Sequence, residues 1–181
     1  METLTKILDF TGRRREDAMI DDNLSWWSER TQKESHMLTL SIEDIRSTLL
    51  IAVFAYNLED NALVAAGGIF LPRTHNQSEP YFNNKKVVEI GTNFVLPEYR
   101  RQGIGKQLID IRLNYAKSNN WVPVSISSNP VVQKIFVKLN GILMENDEKY
   151  ADLRELLCLR KCKNGSFCNA CPLVPNCGWI F

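Results

Sequence analysis

"NFVLPEYRRQGIGKQL" occupies residues 93–108. An apolar strand runs into Pro97, then two arginines, then two glycines on either side of Ile104. Proline cannot donate to a ladder, so pairing ends there and the carbonyl and amide groups of residues 94–96 are expected to be free for an extended ligand. A helix beginning near Gly103 carries unpaired backbone N–H groups at its amino terminus, where the macrodipole favours negative charge. Such a terminus binds phosphate. Gly103 and Gly105 let a phosphate approach the main chain closely, and Arg100, Arg101 and Lys106 add positive charge around it. Two familiar glycine motifs do not fit: a dinucleotide fingerprint needs three glycines directly after the strand, and a Walker loop needs Gly-Lys-Ser/Thr after a four-residue gap.

The neighbouring segments alternate between strand and helix. "VVEIGTNFVL" (87–96) reads as the strand, and "GKQLIDIRLNYAK" (105–117) as a helix with apolar positions at Leu108, Ile109, Ile111, Leu113 and Tyr115. "VPVSISS" is a short β-branched strand, and "NPVVQKIFVKL" starts a helix with Asn129 as cap and Pro130 in the first turn. Upstream, "LTKILDF" reads as a first strand and "REDAMIDDNLSWWSERTQKE" as an amphipathic helix. Ser41 and Asp44 suggest a capping box for a short second helix. Residues 49–56 and 62–71 flank a polar turn as an antiparallel hairpin. "PRTHNQSEPYFNNKK" is expected as a long polar loop. "GILM" and "LRELLCLRK" are candidate closing strands, the second equally readable as a helix. A single sheet with helices on both faces is the economical architecture.

Residues 100–105, Arg-Arg-Gln-Gly-Ile-Gly, match residue for residue the pyrophosphate motif Gln/Arg-x-x-Gly-x-Gly/Ala of the GNAT superfamily of N-acetyltransferases. "FVLPEY" resembles that family's fourth strand and its bulge, and the order of elements agrees over about residues 1–161. The resemblance implies an α/β fold with a mixed, mostly antiparallel sheet splayed at strands four and five. It implies an acyltransferase domain over residues 1–161 that moves an acetyl or other acyl group from acyl-coenzyme A to an amine, on a small molecule or a protein. Phe94 and Val95 would bond the pantetheine arm. Arg100, Arg101, Gln102, Gly103, Ile104, Gly105 and Lys106 would surround the pyrophosphate. Asn129 sits where the family often has a cofactor-contacting asparagine, a role compatible with capping.

Acyl transfer needs a neutral amine, a polarised thioester carbonyl and a protonated leaving thiolate. Glu89 resembles the general base of some members and is expected on the same side as Asn93 by strand alternation; it reads equally as an edge carboxylate. The usual tyrosine acid, seven residues after the asparagine, is replaced by Phe136. A catalytically inactive, sensory module binding an acyl-coenzyme A or a nucleic acid is therefore the alternative reading. The first two helices and the 72–86 loop are expected to set acceptor specificity. Trp26 and Trp27 cannot share one helical stripe, so one is expected in the core and the other at an acceptor or partner surface.

All five cysteines of the 181 residues lie after residue 157. Cys162, Cys168, Cys171 and Cys177 are separated by five, two and five residues, and four thiols so close can surround one metal. The spacing is similar to the [4Fe-4S] loop of endonuclease III type DNA glycosylases, with a first gap one residue shorter. An iron–sulfur cluster, a zinc ion and no metal all stay open for the segment 162–181, expected as a small metal-binding tail. The glycosylase likeness and the run Arg160, Lys161, Lys163 admit a nucleic-acid partner. Lys plus Arg (22) nearly cancels Asp plus Glu (21), so no global field points to nucleic acid or membrane. The longest apolar run, residues 49–56, is far below the roughly 20 residues that cross a bilayer. With no secretory signal at the start, a cytoplasmic location is expected. Oligomeric state is not legible.

Overall fold

The computed structural model describes residues 3–9, 18–34, 40–72, 79–127, 129–144, 148–158 and 178–181. The chain forms two compact units, one of Met1–Phe70 with Ile90–Arg112 and one of Leu71–Glu89 with Leu113–Phe181.

In the first unit, β1 (Thr3–Asp9) pairs antiparallel with β2 (Leu49–Asn57), and β2 with β3 (Leu63–Phe70). β3 neighbours β5 (Lys85–Val95), whose last six residues belong to this unit. Every residue of β2 is buried, which is why it reads as an unbroken apolar run rather than an alternating one. Helix α1 (Ala18–Lys33) supplies Leu24 and Trp27 to a core completed by Ile45, Leu49, Phe54, Phe70 and Phe94. Helix α2 (Ile42–Thr48) starts at the expected capping box: Ser41 Oγ accepts from the Asp44 amide at 3.0 Å, and the Asp44 carboxylate accepts from the Ser41 amide. Trp27 is the core tryptophan, fully shielded, and Trp26 is half-buried. The expectation that one of the two enters the core is met by Trp27.

In the second unit, β5 pairs parallel with β6 (Val122–Ile126) over Val87–Val122, Val88–Pro123 and Glu89–Val124, and that ladder ends there. β8 (Gly178–Ile180) lies antiparallel between β6 and β7 (Ile142–Leu143). Pairing is therefore mixed. The core holds Val87, Val124, Met144, Tyr150, Leu153 and Ile180. Helix α4 (Pro130–Lys138) begins as expected, with Asn129 Oδ1 accepting from the Val131 amide at 2.9 Å.

Several expectations are corrected. The 72–86 stretch is not all loop: β4 (Tyr81–Phe82) pairs with Lys85–Lys86 across Asn83 and Asn84, both left-handed, as a two-residue hairpin turn demands. Of the two readings left open for "LRELLCLRK", its described residues 153–158 take the helical one, within α5 (Ala151–Cys158), and the strand beside β7 is β8. Residues after the last cysteine thus rejoin the sheet. Cys162, Cys168, Cys171 and Cys177 lie outside the described residues, as does the basic run at 160–163. Among the described residues no group of three or more metal-ligating side chains occurs. No helix among them is long and apolar enough to cross a membrane. Seven of the described non-glycine residues are left-handed: Asn61, Asn83, Asn84, Thr92, Arg101, Asn120 and Asn140.

Candidate active site

Leu96 leaves β5 into a 3-10 turn, Pro97–Tyr99, and α3 begins at Ile104 and runs to Ser118. The first helical bond is Gln107 N–H to the Gly103 carbonyl at 3.0 Å. Geometry therefore leaves the amides of Ile104, Gly105 and Lys106 without intrahelical acceptors. The two glycines meet different needs. Gly103 has φ of 87°, and a Cβ there would touch nothing within 4 Å, so its backbone conformation is what requires glycine. A Cβ on Gly105 would meet Asn93 Nδ2 at 3.3 Å and Val95 Cγ2 at 3.6 Å, so its requirement is close packing against β5. Gly105 faces the strand rather than an incoming phosphate.

The charges are more committed than their sequence suggests. Arg100 forms an ion pair with Glu34 and donates Nε to the Val95 carbonyl at 2.9 Å. Lys106 pairs with Asp110 one helical turn on at 2.5 Å. Of the three cations, only Arg101 has no acidic partner among the described residues. The expectation that residues 94–96 keep their backbone groups free is corrected in part, because the Leu96 amide donates to the Val64 carbonyl at 3.0 Å.

A network absent from the sequence reading holds this region together. Arg112 is fully buried on α3 and donates to the carbonyls of Leu108 (2.8 Å), Gly68 (3.0 Å) and Gly91 (2.8 Å) and to Asn93 Oδ1 (2.7 Å). Burial pushes its guanidinium down to about 9. Asn93 Nδ2 in turn donates to the Gly105 carbonyl at 3.3 Å. Between Gly91 and Asn93, Thr92 is left-handed (φ 53°), and its carbonyl accepts from Trp27 Nε1 at 3.1 Å. This kink breaks the strict alternation that was expected to carry from Glu89 to Asn93. The buried stripe of α3 is Leu108, Ile109, Arg112, Leu113 and Ala116, so the one signal in the sequence was a cation inside an i, i+4 apolar register.

Glu89 is buried on β5 opposite Val124. The Phe94 side chain is buried and Val95 is half-buried. Phe136 is buried against Trp179 (5.7 Å) and Phe181 (5.2 Å), an apolar cluster where the resemblance has a proton donor. The second unit also has an open cavity of about 460 Å³ lined by Lys85, Lys117, Lys149, Trp121 and Tyr150 among others. None of the residues expected to hold the cofactor or to act in catalysis lines it, but Phe82, Asn83 and Lys85 belong to the 72–86 stretch expected to set acceptor specificity.

The family model described as "Acetyltransferase (GNAT) family" matches residues 16–141, more than half of the chain. The chain belongs to the GNAT acetyltransferase family. It is thus a GNAT-type acetyltransferase. Rv2747 from Mycobacterium tuberculosis, in complex with CoA and NLQ, superposes with a TM-score of 0.61 at 13% identity, covering 88% of this chain and 93% of its own. N-acetylglutamate synthase from Neisseria gonorrhoeae, complexed with coenzyme A and N-acetyl-glutamate, gives 0.60 at 14% identity over 99% of this chain but 35% of its own length. Arabidopsis thaliana NAA60 in complex with acetyl-CoA gives 0.55 at 13% identity, over 78% of this chain and 87% of its own. At such identities the likeness concerns the fold. No curated protein matches the GNAT chain by sequence.

Proposed function

We propose that this GNAT enzyme N-acylates an amine acceptor, using the β5 terminus and the α3 amino terminus to hold acyl-coenzyme A. The observation that carries the reading is the left-handed Gly103 leading into α3, whose first amides have no intrahelical acceptor. The free amides of residues 104–106 and Arg101 then hold the pyrophosphate, and the main chain of Phe94 and Val95 takes the pantetheine arm. Gln102, Ile104 and the paired Arg100 and Lys106 shape the loop. Asn129 contributes its Nδ2, which makes no hydrogen bond among the described residues, while Oδ1 caps α4.

Glu89 acts as general base. It takes the proton the amine loses as its nitrogen attacks the thioester carbonyl; the C–S bond breaks as the amide forms. With Phe136 enclosed in an aromatic cluster, protonation of the departing thiolate falls to solvent or to a group other than this ring. Among the similar structures, one carries N-acetyl-glutamate, and the NatC complex (TM-score 0.55, 18% identity, 80% of this chain and 87% of its own) is bound to Gag peptide and CoA. Small-molecule and protein amines are thus both in scope.

The domain reading keeps residues 1–161 as the acyltransferase and Cys162, Cys168, Cys171 and Cys177 as a metal site in the segment that follows α5. The donor set fits: four thiolates suit a [4Fe-4S] cluster or structural zinc. Either group would stabilise its segment, and the glycosylase-like spacing also admits a nucleic-acid contact there.

Calorimetric titration with coenzyme A, beside turnover by the parent and by Glu89→Gln, tests the enzyme reading. Binding retained and turnover lost in Glu89→Gln is expected; undiminished turnover removes Glu89 from the chemistry. Anaerobic purification with a spectrum and metal analysis tests the cysteine site. A band at roughly 400 nm with about four irons per chain indicates the cluster, about one zinc per chain indicates the structural ion, and no metal overturns the assignment.

A further inference from the structure

Helix α1 carries a guanidinium that forms no ion pair among the described residues. Arg30 lies in its last turn, half-buried, with its guanidinium carbon 5.6 Å from the centroid of the Trp26 ring. Trp26 meets Phe94 edge-on at 5.6 Å. Arg30 Nε is shielded from solvent and makes no hydrogen bond among the described residues. The guanidinium forms no ion pair among the described residues, and the acid four positions on, Glu34, is taken by Arg100. Every other acid in an ion pair of the first unit is likewise engaged elsewhere, Asp21 by Arg46 and Asp110 by Lys106.

A basic residue near a helix carboxy terminus suits the macrodipole. That explains the charge but not the geometry, because a fully solvated arginine would serve the dipole equally well. With its carbon 5.6 Å from the Trp26 ring centroid, the guanidinium is restrained by a cation–π contact, so its planar fork of donors can receive a planar acceptor at less entropy cost than a free side chain. The acceptor that matches a guanidinium edge with two parallel hydrogen bonds is a carboxylate.

Resting on the acyl-coenzyme A reading above, in which the main chain of Phe94 and Val95 holds the donor, we propose that Arg30, shelved on Trp26, binds a carboxylate of the acceptor. The acceptor is then a small amine with a free carboxylate, an amino acid or a close relative. The carboxylate is a handle and is not consumed: the amine nitrogen forms the new amide and the thiol of coenzyme A leaves.

The test compares kcat/KM for a panel of L-amino acids and ω-amino acids with that for the corresponding carboxamides, in the parent, Arg30→Gln, Arg30→Lys and Trp26→Leu. Coenzyme A affinity is titrated and the thermal midpoint recorded for each. The parent should favour acids over amides by about tenfold or more, as a lost charge-assisted pair dictates. In Arg30→Gln the preference should fall to within about threefold, with Arg30→Lys between, since lysine keeps the charge but not the fork. Trp26→Leu should lower the preference without removing the charge. Coenzyme A affinity should stay within about twofold throughout.

Equal use of acids and amides by the parent overturns the proposal, as does a loss in Arg30→Gln that strikes both classes alike. Turnover of peptides alone overturns it too. Should nothing on the panel turn over, N-acetyl-amino acids are titrated into the coenzyme A-loaded parent; absence of binding there overturns the acceptor assignment while leaving the donor reading standing. Failure of coenzyme A itself to bind would instead sink the donor reading.

Discussion

Arg112→Met should cost this protein only about 2 kcal/mol, a small remainder of two larger and opposed effects. Removing the guanidinium strands the carbonyls of Gly68 and Gly91 and Asn93 Oδ1, one buried and two part-buried acceptors worth about 1–3 kcal/mol each. The Leu108 carbonyl is a helical acceptor in its own right and is spared. Against this stands the cost of keeping a cation in the interior. Depression of the Arg112 guanidinium to about 9 from 12.5 corresponds to about 5 kcal/mol, and methionine restores it by filling similar space without charge. The remainder lowers the thermal midpoint by about 4–8 °C for a chain of this size. Denaturant unfolding of parent and variant measures it. The gap should widen from about pH 9 upward, since the unfolded parent then holds the proton that the folded one releases and only the parent gains stability. A variant that cannot fold, or one more stable than the parent by over about 1 kcal/mol, would refute this balance. Asn93, released from its donor, also relaxes its hold on the Gly105 carbonyl, so coenzyme A affinity should fall together with stability.

Gly103→Ala should weaken coenzyme A binding and cost about 1–2 kcal/mol through backbone strain alone, since no atom stands near its Cβ; denaturation beside calorimetry reads both. Trp27→Phe should destabilise more than Trp179→Phe, because Trp27 Nε1 bonds the Thr92 carbonyl whereas the buried Trp179 Nε1 has no partner to lose; the difference, about 1–3 kcal/mol, is the stranded carbonyl. Burial raises the Tyr56 hydroxyl above its ordinary value near 10, so the unfolded chain ionises first and stability falls as pH climbs past 10. Tyr56→Phe should cost about 1 kcal/mol at neutral pH by losing the Asn23 hydrogen bond, yet escape that alkaline decline in a pH series of melts.

The loop around Gly103 was legible because its chemistry is local: a strand end, a proline and glycines at fixed spacing dictate a backbone shape that nothing distant overrules. The same holds for the Ser41 and Asn129 caps. What escaped reading depends on partners far along the chain. Arg112 looks like a solvated residue until Gly68, Gly91 and Asn93 surround it. Arg100 and Lys106 read as unpaired cations until Glu34 and Asp110 are placed beside them. The two-residue strand Tyr81–Phe82 is too short to show a period, and its turn uses two asparagines where a glycine was the cue. β8 escaped for the same reason, being only three residues long.

The left-handed residues have a further consequence. Five of the seven non-glycine examples are asparagines at turns, where the side chain tolerates that conformation at modest expense and, unlike glycine, leaves the unfolded chain fewer alternatives. Thr92 and Arg101 have no such dispensation. A β-branched residue within a strand and an arginine beside Gly103 each hold about 1–2 kcal/mol that the rest of the fold must keep loaded. The protein has economised on strain at its turns and kept it at the strand and loop assigned to the acyl donor, which is where a bound cofactor could draw on it.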